Sequence, residues 1–77
     1  MFMLTVRIST LNEEIPFQKI STPKVQFINF KALSEGVYEI NFRGTSVANV
    51  GEILTNLETL SAEGTIDSEF EVALKNL

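Results

Sequence analysis

Residues 33–51 read LSEGVYEINFRGTSVANVG. Ser34, Glu35 and Gly36 fit a tight connection whose glycine takes the positive-φ position. Beyond it Tyr38, Ile40 and Phe42 alternate with Val37, Glu39, Asn41 and Arg43, the period of a half-buried strand. Gly44 frees the backbone to leave the sheet, and two overlapping helix starts follow. Thr45 or Ser46 fits one cap. Asn49 fits the other, with Glu52 three residues on as in a capping box.

Residues 24–32 (KVQFINFKA) are β-branched and aromatic and predict the strand on the other side of the turn. Their alternation is broken: Val25 and Phe27 point one way, Ile28 and Phe30 the other. A bulge near Phe27 or cover on both faces would account for it. Downstream, Val47, Val50, Ile53, Leu54, Leu57 and Leu60 form the stripe of a long helix over about 46–63, with Gly64 as its C′ residue. Gly51 weakens the first turn, and close approach to the sheet is the expected reason for it. Ile66, Ser68, Phe70, Val72 and Leu74 alternate as a last strand, and Phe2, Leu4, Val6 and Ile8 as a first one. Residues 10–23, punctuated by Pro16 and Pro23, have no clean period. Asn12 fits a cap, but a short helix, a loop and an irregular edge strand all remain open.

The order is β, irregular segment, β, β, α, β. One apolar helix stripe and one apolar face per strand predict a two-layer α+β domain over residues 1–77, with a four- or five-stranded, mostly antiparallel sheet and one long helix. The order matches a ferredoxin-like plait whose first helix has degenerated, and the β–α–β crossover is expected to be right-handed. The expected core is Leu4, Val6, Ile8, Tyr38, Ile40, Phe42, Val50, Leu54, Leu57, Phe70 and Val72.

Composition narrows the chemistry. Among 77 residues there is no Cys and no His, so thiolate nucleophiles, Cys-based zinc sites and the commonest general base are excluded. Glu69 and Glu71 stand two apart on the expected strand and share a face, but such pairs usually belong to a solvated face. No Gly-rich phosphate signature and no twelve-residue Ca²⁺ loop is present. The chain is expected to be non-catalytic, with no cofactor and no metal. No apolar run approaches the roughly 20 residues of a membrane span, and the alternating start MFMLTVRIST does not resemble a signal peptide. A cytoplasmic protein is the expectation. A plait that binds RNA needs aromatics on its open face and a basic field. Here that face carries Met3, Thr5, Arg7, Val37, Glu39, Asn41 and Arg43, so nucleic acid is not an expected partner.

Charge is unevenly placed. Residues 1–44 hold five bases and four acids, net +1, whereas residues 45–77 hold one base and six acids, net −5. The second half supplies the candidate contacts to a protein partner with a basic surface: Glu52, Glu58, Glu63, Asp67, Glu69 and Glu71. The apolar strand residues Val25, Phe27, Ile28 and Phe30 are the candidates for self-association as a homodimer, since an edge strand apolar on both faces needs cover. The alternative is that residues 10–23 fold over it within one chain. The leading expectation is thus a small acidic protein–protein interaction module; stand-alone acidic domains of this size include phage-encoded inhibitors of host complexes. The alternative is a small-molecule-binding regulatory domain of the amino-acid-binding type, using the first strand–helix junction, STLNEE. That junction lacks the glycine that usually lets a ligand approach the backbone.

Overall fold

The computed structural model describes residues 1–11 and 15–77. Asn12, Glu13 and Glu14, and with them the expected cap at Asn12, lie outside the described residues. The elements are β1 (Phe2–Ser9), α1 (Phe17–Ile20), β2 (Val25–Ser34), β3 (Val37–Gly44), a 3-10 turn (Val47–Asn49), α2 (Val50–Ala62) and β4 (Glu71–Asn76). The four strands form one sheet in the order β2-β3-β1-β4, every neighbour antiparallel. Among the described residues the fold is α+β, with one long helix on a four-stranded antiparallel sheet rather than a five-stranded one.

The β2–β3 turn is as expected, with Gly36 at φ 77°. The broken alternation of β2 is a bulge. The register runs Val25↔Gly44, Gln26↔Arg43, Phe27↔Phe42, then slips one residue to Asn29↔Asn41 and Phe30↔Ile40. Ile28 is the extra residue. The slip returns Phe30 to the Phe27 face, so Phe27 and Phe30 are not opposed as strict alternation implies. A second shift falls between Ala32 and Ser34. α1 is a single turn behind Pro16, and its Phe17 ring stacks on Phe27 at 4.5 Å and lies 5.9 Å from Phe30. Part of the irregular segment thus covers β2 within the chain; Ile20 is buried in the core, and Asn56 Nδ2 of α2 holds α1 in place by donating to the Ile20 carbonyl at 2.8 Å.

The N-terminal cap of the helical segment is Ser46, whose Oγ accepts from Ala48 N–H at 3.4 Å. Asn49 is already helical and makes no side-chain cap bond. At the other end Thr65 N–H reaches the Leu60 carbonyl and Gly64 N–H the Ser61 carbonyl, at 2.9 and 3.1 Å. That is a Schellman closure with Gly64 at φ 77°.

The core is Phe2, Leu4, Val6, Ile8, Ile20, Val25, Ile40, Phe42, Ile53, Leu57, Leu60 and Ile66. Tyr38, Val50, Leu54 and Phe70 pack against it half-buried, but Val72, expected inside, is exposed. It pairs with buried Val6 and so faces the helix layer, yet β4 is an edge that α2 does not cover. The last strand is also shorter than its alternation. Ile66 makes a lone bridge to Thr10, and the strand begins only at Glu71. Between them Asp67 Oδ1 accepts from Glu69 N–H at 3.3 Å, an Asx turn that competes with extension. Two glycines correct their expected roles. A Cβ on Gly51 would meet nothing within 4 Å among the described residues, so close approach does not explain it. A Cβ on Gly44 would lie 2.6 Å from the Phe2 ring, so Gly44 makes room for a core side chain.

Candidate interaction surfaces

The register sorts the open face of the sheet into cross-strand rows. One row reads Lys31, Glu39, Arg7, Glu71 from β2 to β4 and alternates in sign across the whole sheet. Arg7 sits between two carboxylates, Nη2 at 3.3 Å from Glu39 and Nη1 at 3.6 Å from Glu71. These ion pairs are exposed, and pairs of that kind contribute little each. The neighbouring row is a hydrogen-bonded relay: Thr5 Oγ1 donates to Asn41 Oδ1 at 2.8 Å, and Asn41 Nδ2 donates to Asn29 Oδ1 at 2.9 Å. The third row is Gln26, Arg43, Met3, Lys75. Four of the chain's six bases therefore stand on this face, against two acids. The rows carry no aromatic side chain.

The acidic candidates do not form one patch. Glu52, Glu58 and Glu63 are exposed on α2 and its C-cap, and no basic residue occupies the helix. Glu63 stands eleven positions after Glu52, about 16 Å along the helix. Asp67 and Glu69 lie in the turn before β4, the first engaged with the Glu69 amide. Glu71 belongs to the opposite layer, paired with Arg7. Glu69 and Glu71 do border one shallow cleft of ≈ 390 Å³ with Arg7, Val37, Ser68 and Phe70. Among the described residues no group of three acids could hold a metal ion, and no helix is long and apolar enough to cross a membrane.

The self-association candidates also separate. Val25 is fully buried in its own core and Phe27 is half-covered by Phe17, while Ile28 and Phe30 remain 40% and 46% exposed, with Leu33 beside them at 40%. Sequence reasoning missed a second exposed apolar pair on the far edge, where Val72 and Leu74 are 37% and 44% exposed. The clean alternation there points to an inward face; only the strand order shows that face to be at an edge.

Comparison with known proteins places no relative beside this chain. No protein-family model, no curated protein and no solved structure matches it.

Proposed function

We propose that this chain is a non-catalytic protein–protein interaction module that sets its helix layer against a basic surface of a partner. One observation carries the reading: the long helix is acidic and the open sheet face carries an excess of bases. Glu52, Glu58 and Glu63 stand exposed on a helix without a single base, whereas Arg7, Lys31, Arg43 and Lys75 stand on the open sheet face. An acidic face opposed to a basic one orients the molecule in the field of a charged partner and raises the encounter rate. Glu63 at the helix C-terminus opposes the macrodipole, a placement that local stability does not favour. A module with no His or Cys acts by occupying a surface, which in the cytoplasm would make it an inhibitor or an adaptor of the complex it binds. The strand order also supports a ferredoxin-like plait with a first helix reduced to Phe17–Ile20: β3 lies between β1 and β2, and β1 lies between β3 and β4, the two interleaved units of that fold.

The test compares the wild-type chain with E52Q/E58Q/E63Q as baits in a lysate at low and high salt. A basic protein retained by the wild type, lost from the triple variant and released by salt supports the reading. Retention that ignores both the glutamines and the salt overturns it.

A further inference from the structure

We propose that the free edge of β4 pairs with β4 of a second copy, about a two-fold axis at Ala73, to continue the sheet across two chains. The inference does not depend on the acidic-face reading. β4 runs against β1 in unbroken register from Phe2↔Asn76 to Arg7↔Glu71. Leu77 N–H donates to the Met1 carbonyl at 3.0 Å, so Met1 and Leu77 are a hydrogen-bonded pair of that ladder. Odd-numbered residues of β4 therefore bond to β1. Val72, Leu74 and Asn76 turn their N–H and C=O groups outward, to the side where the sheet has no further strand among the described residues.

An antiparallel copy centred on Ala73 meets this edge with matched groups at every position. Val72 faces Leu74 of the second copy, and Leu74 faces its Val72, in pairs that exchange both backbone bonds. Each covers an apolar side chain that α2 leaves exposed by 37% or 44%. On the open face Glu71 meets Lys75 of the second copy and Lys75 meets its Glu71, in the closer, non-hydrogen-bonded type of pair. The small side chain of Ala73 stands at the axis, where the two strands approach most nearly. Centring the pair on Val72 or Leu74 instead leaves Glu71 and Lys75 without each other. The charge row across the sheet, Lys31, Glu39, Arg7, Glu71, then continues in sign with Lys75 of the second copy. The arrangement is isologous and closes on itself. β2, the other edge, is a poorer template because its two register shifts interrupt the ladder. A six-residue strand buries less than the standard interface of about 1,600 Å², so the dimer is concentration-dependent.

Sedimentation velocity over a concentration series tests this with the full chain. The wild type is expected to pass from the 8.6 kDa monomer to the dimer as concentration rises. E71K and K75E each set like charges opposite one another twice in the homodimer, and each is expected to raise the dimerisation midpoint by about tenfold or more. Mixed in equal amounts they form complementary pairs, since the lysines of E71K meet the glutamates of K75E, and dimer returns at the wild-type midpoint. E71K also loses an ion pair to Arg7. K75E disturbs no ion pair seen among the described residues, so it carries the test alone if E71K fails to fold. A wild type that stays monomeric to millimolar concentration overturns the proposal. So does a dimer that survives K75E, or one that survives it and is dissolved by I28K on β2, or a mixture that does not regain association.

Discussion

The two edges of this sheet solve the same problem differently. β2 is ten residues long, aromatic and twice interrupted, and α1 lays Phe17 across it. β4 is six residues long, aliphatic and regular, and no element among the described residues closes over it. A bulge spoils an edge as a template, and a stacked ring hides its apolar side. The lesson is that irregularity in β2 acts as protection, whereas the regularity of β4 leaves it available. Between them β1 and β3 carry the buried residues that any variant at either edge relies on.

That division orders the expected mutational costs. Leu57 is fully buried on the inner side of α2, so Leu57→Ala should cost about 2–5 kcal/mol. In a domain this small that threatens folding outright, and thermal or urea unfolding will read it. A cost below about 1 kcal/mol would mean that α2 does not seal the core as its buried stripe implies. Phe17→Ala comes next, at about 1.5–3 kcal/mol, because a half-buried ring loses two stacked partners, Phe27 and Phe30. It should also make the chain aggregate as it uncovers β2, which dye binding and light scattering will show. A Phe17→Ala chain as stable and as dispersed as the wild type would remove α1 as the cover of that edge.

Much of this was legible from spacing alone. The Ser34–Gly36 turn, the alternation of β1 and β3, the α2 stripe and the Gly64 closure all follow from local periods and caps. What escaped depends on distant contacts. Phe17 carries no periodic signal, since one turn behind Pro16 is too short to have a period, and its role exists only because Phe27 and Phe30 lie beneath it. The bulge at Ile28 was one of two accounts of a broken pattern, and the register of β3 decides between them. Val72 obeys its alternation but sits on an outer strand, which periodicity cannot reveal. Asp67 ends an alternating run by capping its own backbone. Among the candidate surfaces, the acid count was visible, but the pairing of Glu71 with Arg7 needs the β1–β4 register.

Gly51 offers a change in the other direction. It lies in the first turn of α2 with open space where a Cβ would stand. Gly51→Ala should therefore raise stability by about 0.5–1 kcal/mol. Because the Gly51 Cβ position touches no described residue of either edge, the gain should add to the effect of any edge variant without altering its cost. A loss on Gly51→Ala would mean that this turn meets a group beyond its described neighbours. Gly44 is the control, since its Cβ position falls on the Phe2 ring and the same substitution there should destabilise.

The smallest expected effect is the one that separates the edges. Leu74 pairs with fully buried Leu4 and faces the helix layer, so its pattern alone predicts the cost of a core leucine. Its 44% exposure predicts otherwise. A side chain that keeps nearly half its surface in water has little transfer energy to lose, and no closed cavity forms when it is cut back. At low micromolar concentration Leu74→Ala should shift stability by no more than about 0.5–1 kcal/mol, well under Phe17→Ala. If the cost is equal to that of Phe17→Ala, β4 is packed as firmly as β2 and the contrast fails. Repeating the unfolding at a hundredfold higher concentration sharpens it. A strand covered by a second copy becomes more stable with concentration in the wild type, because association draws on the folded state. Leu74→Ala should gain less, so that its cost grows with concentration, while the cost of Phe17→Ala, set inside one chain, stays constant.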